Sequence, residues 1–508
     1  MSALTERTRL GLEVLATGVV LGIAGDALLR ATPWGLNAFL CTVALAAAAA
    51  WLVYRRRIAV GRDAPWLAMA AVLLGSNFAI RDADALRALD AMGLAILLAL
   101  AGLSLRGVAL RGRDAWEYVR SGVVAALSAW FGVWPLMARD IRWSELPTGG
   151  ALRHARGAIG GALLAFPLLL AFGGLFAAAD PVFRNVVATA LHVDFSAVAS
   201  HLALTALWTA LTAGYFWGAL IRRTPPPAAD AQALSLGIVP VGTALGLVNL
   251  LFLVFVVIQL RYFFGGAELV QSATDLTYAE YARRGFFELV AASGLVLPFL
   301  LGADWLLRDA SREHQRTLRQ LSGLLLALLG VVMASALQRM RLYVAEFGLS
   351  ETRLYATAFM IYLAGAFAWF ALTVLRGHWR RFAFGALVQG FAVLGGLHLL
   401  NPDAFIVRTN LARPAEHRPF DAAYAASLGA DAVPDLLAAF ARLGDQDKCR
   451  AAAALLARWT PEGSGGKRPV GDGWRNWNLA RARARRAVQE HAALLKATPC
   501  PESRPPTG

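Results

Sequence analysis

The sequence is poor in charged residues and almost free of lysine. Only 16% of its 508 residues are charged and 57% are hydrophobic, whereas about a quarter of the residues in soluble domains are charged. This deficit excludes an ordinary soluble enzyme. Lys448, Lys467 and Lys496 are the only lysines, so arginine carries almost all of the formal net charge of +15. No basic patch is interleaved with aromatic residues outside the hydrophobic runs, so we expect no nucleic-acid partner.

Cysteines and known catalytic motifs are also scarce. The chain has no glycine-rich phosphate loop, nucleophile elbow, zinc-binding helix or CxxC pair, so we predict no cofactor and no bound metal. Cys41 lies in a hydrophobic run, whereas Cys449 and Cys500 lie in the C-terminal tail. We interpret the latter two as unrelated thiols; the alternative is a disulfide, which an extracytoplasmic tail would permit.

Long hydrophobic runs fill the first 400 residues. Such runs are long enough to cross about 30 Å of hydrocarbon, and the first lacks a clear cleavage site, so we interpret it as a retained span. We predict an all-α, polytopic transmembrane bundle of about 11–12 spans with a small α-helical C-terminal soluble domain. The predicted spans are 10–29, 34–53, 65–80, 86–105, 157–179, 199–221, 236–260, 285–307, 318–338, 354–375 and 382–400, with 122–137 as a twelfth candidate.

The distribution of arginine predicts the orientation. The run 122–137 is short and contains Pro135, so it is a full span, a re-entrant segment or an interfacial helix. If it does not cross, the short loops hold 23 arginines inside and 10 outside, in agreement with the positive-inside rule. We therefore predict eleven crossings of a bacterial inner (plasma) membrane, with a cytoplasmic N-terminus and an extracytoplasmic tail.

Composition divides the chain into four predicted regions. The proline-rich connector separates two sets of spans, and no convincing repeat relates them, so the sequence does not support an inverted-repeat transporter. The regions are an N-terminal transmembrane region (1–221), a cytoplasmic connector (222–235), a C-terminal transmembrane region (236–400) and a helical soluble tail with a disordered end (401–508).

The tail has three helical patterns. Asp431 is predicted to cap a helix that has Pro434 in its first turn. Asp445 begins a second helix, and a third begins near Trp474. The segment 461–473 is predicted to be a linker. The tail therefore resembles a small interaction or capping module more than an enzyme.

The segment 259–289 is polar, aromatic and basic, and lies between two long apolar runs. Thr277 and Glu280 have the spacing of a capping box. The helix that they begin would place Glu280, Arg284 and Glu288 on one face, where the arginine can pair with either carboxylate. We consider two interpretations: an ion-paired anchor for the following span, or a site in which Arg283 or Arg284 binds an anionic group.

Two further segments have the same character. They are 338–355, where Gly348 is predicted to end one helix and Ser350 to cap the next, and 398–408, which contains His398. In the eleven-span topology all three segments lie at the outer face and form a shared cleft. The candidate binding residues are Arg261, Tyr262, Tyr281, Arg283, Arg284, Glu288, Arg341, Tyr343, Glu351, Arg353, Asn401 and Asp403.

The same segments resemble a bacterial membrane family known as domain of unknown function 4173, which is related to family 4153. The resemblance covers roughly residues 235–490 and implies a membrane protein without adding a mechanism. It rests on the pieces QLRYFFGG, TYAEYARRGFFEL, RLYVAEFGLSETRLY, NPDAFIVRTNLAR, LGADAVPDLL and WRNWNLARARA.

Other polar residues give weaker signals. His192, Asp194 and His201 have poor metal-ligand spacing. Asp82 and Asp84 are interpreted as a solvated turn. Four carboxylates lie in or near spans, but close to the span ends, which argues against a proton-coupled pump; they are Glu13, Asp26, Asp90 and Asp304.

We predict a non-enzymatic envelope protein that binds a lipid, a solute or a partner protein at the outer cleft, as a sensor, scaffold or permease-like component. The expected partners are the lipid bilayer, an anionic lipid or solute, and a protein that contacts the tail. The alternative is a membrane-embedded transferase acting on a lipid-linked substrate, which requires an acid or base at the outer face. The sequence supplies Glu280, Glu346, Glu351, Asp403 and His398 for that role.

Overall fold

Helices form all the regular structure in the described part of the chain. The computed structural model describes residues 4–113, 115–146, 165, 168–169, 172–184, 195–222, 237–264, 286–307, 311–413, 420–460 and 473–500. No strand occurs in these ranges. The prediction of an all-α polytopic bundle is confirmed.

Nine helices in these ranges are long and apolar enough to cross a membrane, and a tenth span arises if the bent pair Ala115–Phe131 and Val133–Asp140 crosses as one. The protein is therefore a multi-pass membrane protein. The apolar helices, which include α3 as a shorter one outside that count, are α1 (Glu6–Leu29), α2 (Leu36–Arg56), α3 (Ala64–Ile80), α4 (Asp84–Leu105), α5 (Ala115–Phe131), α6 (Phe195–Phe216), α7 (Ile238–Phe264), α8 (Phe286–Leu306), α9 (Arg312–Phe347), α10 (Glu351–Thr373) and α11 (Phe382–Leu400).

The ambiguous run 122–137 is helical but broken. The chain bends by 55° between Phe131 and Val133. At the break, Gly132 packs closely against Trp217 and the backbone of Gly214, leaving no room for a side chain. This geometry fits a broken span or a re-entrant loop. Most of the predicted span 157–179 lies outside the described residues.

The chain divides into two compact units. Unit 1 comprises residues 1–73, 96–109 and 121–224. Its helices α1 and α6 approach closely because glycines line their contact: a Cβ atom at Gly18 would lie 2.8 Å from the Cβ of Ala213, and one at Gly25 would lie 2.8 Å from the ring of Trp208. Small residues at such contacts are typical of packed membrane helices.

The carboxylates of unit 1 that lie in spans have partners. Glu13 accepts hydrogen bonds from Arg55 and Arg56. Asp26 accepts from Arg30 at 2.9 Å and lies 2.5 Å from Nδ1 of His201. His201 is thus paired with a carboxylate, and the other two residues considered for a metal site lie outside the described residues.

Unit 2 comprises residues 74–95, 110–120 and 225–508. Its membrane core joins α7, α8, α9, α10 and α11 through residues such as Leu245, Leu300 and Phe370. Asn249 on α7 donates to the Leu321 carbonyl on α9 at 3.1 Å, a helix-to-helix bond of the kind common in membranes. With 36 residues, α9 is about 54 Å long, so it extends beyond the hydrocarbon layer.

The tail of unit 2 is a bundle of short helices with its own core. Leu349 and Leu354, beside the start of α10, pack into this core with Leu436 and Trp459. The tail helices are α12 (Pro402–Leu411), α13 (Ala422–Ser427), α14 (Val433–Ala438), α15 (Asp445–Trp459), α16 (Leu479–Glu490) and α17 (Ala492–Ala497).

A disulfide joins Cys449 at the start of α15 to Cys500 beyond α17. The preferred interpretation of these residues as unrelated thiols is wrong, because the packing of α17 against α15 brings two cysteines 51 positions apart into bonding distance. The described linker residue is Gly473; 461–472 lie outside the described residues.

Candidate functional site

The loop between α3 and α4 is the centre of the candidate site. Asp82 in this loop is only 6% exposed. Its Oδ1 atom accepts a hydrogen bond from Nε of Arg481 at 2.8 Å and lies 3.2 Å from the guanidinium of Arg87. The interpretation of Asp82 and Asp84 as a solvated turn is wrong for Asp82, because α16 of the tail covers it. It is right for Asp84, whose side chain is 88% exposed.

Asp431 connects the tail to this loop instead of capping a helix. Its carboxylate accepts hydrogen bonds from the guanidinium of Arg81 at 3.0 Å and from the backbone N–H of Asp82 at 2.9 Å. The cap position of α14 is Ala432. The predicted cap is therefore wrong: the side chain turns away from its own helix because two donors of the α3–α4 loop bind it.

The start of α16 holds the same loop from another side. Asn478 donates to the backbone carbonyls of Phe78 and Arg81, both at 2.8 Å, and its own Oδ1 caps α16 through the Arg481 N–H. Arg481 is 2% exposed. Burial lowers the pKa of this guanidinium, and the adjacent charge of Asp82 opposes that change. Arginine stays protonated in proteins, so this is a buried ion pair.

The close approach of the Gly429 backbone to the Asp82 backbone brings Asp403 next to these residues. A Cβ atom at Gly429 would overlap the Asp82 carbonyl oxygen and Oδ2 of Asp403. With glycine there, the Gly429 N–H donates to Oδ2 of Asp403 at 2.8 Å. Asp403 lies in the first turn of α12 and is fully buried.

The end of α11 contributes His398 and Asn401. Nε2 of His398 lies 2.7 Å from Oδ1 of Asp90 on α4, and both side chains are buried. Asn401 has φ of 56° and links α11 to α12, a left-handed conformation that asparagine tolerates better than most residues.

Several polar atoms here have no hydrogen-bond partner among the described residues. They include the Tyr355 hydroxyl, Nδ1 of His398, Oδ1 of Asn401 and Oδ1 of Asp403. An unsatisfied buried polar group costs about 1–3 kcal/mol. Asp403 and His398 are at least nine-tenths buried, so bulk water does not reach them freely.

Carboxylates surround Asp403. Burial, together with the charges of Glu351, Asp431 and Asp82, raises the pKa of Asp403 to about 7, although the hydrogen bond from the Gly429 N–H lowers it. Tyr355, one turn beyond Glu351 on α10, interacts electrostatically with Asp403, Glu351 and Asp90. These groups form one electrostatic cluster on the tail side of α10.

A second set of contacts ties the tail to the α9–α10 turn. Asn410 bonds both backbone groups of Leu349, accepting at 2.7 Å and donating at 2.8 Å. The hydroxyl of Tyr424 accepts from the Glu351 N–H at 2.9 Å. The predicted helix end at Gly348 and start after Ser350 agree with the structure, but the Ser350 side chain makes no capping hydrogen bond.

We name this set of buried and half-buried polar residues the junction cluster. It joins the α3–α4 loop, the start of α10, the end of α11 and the tail. Its members are Arg81, Asp82, Asp90, Glu351, Tyr355, His398, Asn401, Asp403, Asp431, Asn478 and Arg481.

The predicted binding residues fall into four groups. Glu351, Asn401 and Asp403 belong to the junction cluster. Arg353 lies beside it, donating to the carbonyls of Phe347 and Gly348 and covering the ring of Tyr343 at 4.0 Å. Arg341 and Glu288 are exposed. The remaining predicted residues, Arg261, Tyr262, Tyr281, Arg283 and Arg284, and the capping box at 277–280, lie outside the residues or side chains that the structure describes.

Sequence reasoning missed the tail's part in the cluster. Asp431 and Asn478 stand in LGADAVPDLL and WRNWNLARARA, for which the sequence predicts a helix cap and a helix start but no contact with the α3–α4 loop. Arg481 lies in an arginine-rich helix that looks exposed, yet its neighbour Arg483 is exposed while Arg481 is buried. The useful signal was the lone asparagine cap before a run of arginines.

Comparison with protein families gives one match. A family model described as domain of unknown function (DUF4153) matches residues 68–439. The matching family, 4153, is the one to which the predicted family 4173 is related. The assignment to family 4173 itself stays a prediction. The match begins well before residue 235 and includes Arg81, Asp82, Asp403 and Asp431. The searches of curated proteins and of solved structures gave no significant match.

Proposed function

The chain belongs to the DUF4153 family, and we propose that this integral membrane protein is a non-enzymatic binding protein of the bacterial plasma membrane. Its site is the junction cluster on the extracytoplasmic side. Its ligand is a small cation, either a monovalent metal ion or a protonated amine. Occupancy of the site strengthens docking of the tail, which makes the protein a sensor or permease-like component.

The unpaired acceptors of the junction cluster carry this proposal. Asp403 is fully buried, and its Oδ1 atom has no partner among the described residues. The charges that act on its pKa are the carboxylates of Glu351, Asp431 and Asp82, and the Gly429 N–H donates a hydrogen bond to it. A buried carboxylate without a counter-charge is costly, and a bound cation would remove that cost.

The described residues favour a cation over an anion. Arg81, Arg353 and Arg481 all bind carboxylates or backbone carbonyls in this region, so none presents an open guanidinium fork. The anionic lipid or solute expected from Arg283 and Arg284 concerns a segment outside the described residues and remains a separate prediction, as does a partner protein on the tail.

Two observations support an extracytoplasmic tail. The disulfide between Cys449 and Cys500 is typical of an oxidising compartment. The arginine distribution favours the same orientation. A topology reporter fused after Gly508 tests it: activity of a periplasmic reporter is expected, and a signal from a cytoplasmic reporter would contradict the orientation.

The ligand is tested by thermal unfolding of the purified full chain at pH 8, where Asp403 is largely ionised. The probes are Na⁺ and methylammonium, each compared with the bulky cation N-methylglucamine at equal ionic strength. We expect one probe to raise the melting temperature by several degrees, following the mass-action stabilisation of about 2.7 kcal/mol at one hundred times Kd. The two probes distinguish a metal ion from an amine.

Two variants make this test specific. Asp403→Asn removes the charge and should abolish the shift, whereas Glu490→Gln removes an exposed carboxylate of α16 and should retain it. A wild-type protein that responds to neither probe more than to N-methylglucamine would show that the cluster is structural. An equal shift in Asp403→Asn would place the cation elsewhere.

The alternative is a membrane-embedded transferase that acts on a lipid-linked substrate. The raised pKa of Asp403, about 7, suits a general acid or base. However, Asp403 and His398 are buried beneath the tail, so a lipid-linked substrate would reach them only if the tail moved. Binding is therefore the better-supported function.

A further inference from the structure

We propose that unit 2 binds an anionic phospholipid at the end of its helices opposite to the junction cluster. At this end α8 and α10 finish while α9 and α11 begin. The first residues of α5 lie there too. The junction cluster adjoins the other end of α9 and α10, so the two sites are independent.

An apolar groove supplies the place for an acyl chain. It encloses about 410 Å³ and is lined by Trp116, Trp305, Trp379, Pro298 and Gly302, among other apolar residues, which is a volume typical of small-molecule sites. Trp116 is 53% exposed. The groove-lining helices α8 and α11 are each apolar enough to span a membrane, and α5 is so when joined to Val133–Asp140, so we expect hydrocarbon chains rather than water to cover the open side of the groove.

A polar pocket continues the groove towards the helix ends. The two cavities share Asp304 and Trp379, and the smaller one, of about 100 Å³, is lined by Arg319 and Gly377. A Cβ atom at Gly377 would lie 3.1 Å from the Arg319 guanidinium, so the arginine lies close to the α10–α11 turn. The apolar groove fits an acyl chain, and the guanidinium at its polar end fits the phosphate to which that chain is attached.

The charge around the pocket selects an anionic head group. Basic clusters beside membrane spans attract anionic lipids. Six exposed arginines surround this end, and none of them has an ion-pair partner among the described residues. We name them the arginine rim; they are Arg312, Arg316, Arg319, Arg376, Arg380 and Arg381. The lipid phosphate would bind Arg319, and the rest of the rim would favour a net negative head group over a zwitterionic one.

The proposal is tested by native mass spectrometry of the purified full chain, titrated with phosphatidylglycerol or phosphatidylcholine of identical acyl chains. We expect phosphatidylglycerol to bind at least fivefold more tightly. Arg319→Gln should weaken phosphatidylglycerol about fivefold, which corresponds to about 1 kcal/mol per arginine near the surface. The control Arg442→Gln changes an exposed tail arginine and should leave both affinities unchanged.

A second pair of variants tests the acyl-chain groove without touching charge. Gly302 lines the groove, and an added Cβ would meet no atom within 4 Å, so Gly302→Leu should fill the groove and still fold. It should weaken both lipids at least fivefold. Gly330→Leu makes the same change at an exposed, open position of α9 and should have no effect. Equal affinity for the two lipids, or unchanged binding in Gly302→Leu, would overturn the proposal.

Discussion

The two ends of α9 differ in whether the charged side chains around them are buried or exposed. Near Phe347 the tail buries ionic groups, so that Arg481 is 2% exposed and Asp82 is 6% exposed. Near Arg312 the arginine rim is exposed, and its members have no ion-pair partner among the described residues. The same residue type therefore has two roles: a fixed structural tie under the tail, and an open anion-attracting surface at the other end.

This difference follows from what covers each end. A buried charge must be paired, because desolvation costs several kcal/mol per ion. The tail core, which includes Leu436 and Trp459, buries apolar area whose favourable free energy offsets this desolvation. The tail also supplies the polar partners Asp431 and Asn478. Among the described residues no comparable apolar core covers the rim, and its arginines are exposed.

The largest expected effect breaks the buried pair. Arg481→Met leaves the Asp82 carboxylate with the Arg87 guanidinium at 3.2 Å as its remaining ion-pair partner among the described residues, so we expect a loss of about 3–5 kcal/mol, the range for breaking a buried ion pair. Arg319→Met, at the exposed rim, should change the free energy of unfolding by less than about 0.5 kcal/mol. Denaturant unfolding of both variants in one detergent measures the difference; equal losses would refute the distinction between the two ends.

The second effect depends on pH and concerns Asp403. Its pKa is raised from 3.8 to about 7 in the folded state. Between these values the folded protein keeps the proton while the unfolded chain loses it, so stability falls as the pH rises from about 4 to 7. The penalty is at most about 4 kcal/mol above pH 7 and absent below pH 4.

Asp403→Asn should remove that penalty. Without added ligand we expect it to be more stable than the wild type at pH 8 and nearly equal at pH 4. Asp431→Asn is the contrast, because that carboxylate is paired with Arg81 at 3.0 Å and its loss should destabilise the protein at pH 8. Melting temperatures across the pH range measure both; a wild type more stable than Asp403→Asn at pH 8 would contradict the expectation.

The length of the hydrophobic runs predicts the fold well. Span 382–400 is predicted with the bounds that α11 has, and the α9–α10 turn follows from Gly348 and Ser350. These features depend on local sequence, where length, apolar content and turn residues are sufficient. The sequence alone is therefore sufficient to predict which of the described helices are long and apolar enough to cross a membrane.

The junction cluster is not readable in the same way. Asp82 and Arg481 are 399 positions apart, and each stands in a segment whose local pattern is typical of an exposed surface. Asp431 precedes a proline-started helix, a pattern that predicts a cap, yet its partners come from the α3–α4 loop. Only tail docking decides whether such charges are buried, and docking leaves no periodic signal.

The smallest expected effect concerns steric room at the two ends. A Cβ atom at Gly429 would overlap Asp403 and the backbone of Asp82, whereas one at Gly302 would meet nothing within 4 Å. Gly429→Ala should therefore cost about 1–3 kcal/mol through overpacking. Gly302→Ala, inside α8, should gain about 0.5–1 kcal/mol, because alanine favours helix more than glycine does. We expect the melting temperature to fall in Gly429→Ala and to rise in Gly302→Ala. An unchanged melting temperature in Gly429→Ala would contradict the close packing of the tail against Asp403 and Asp82.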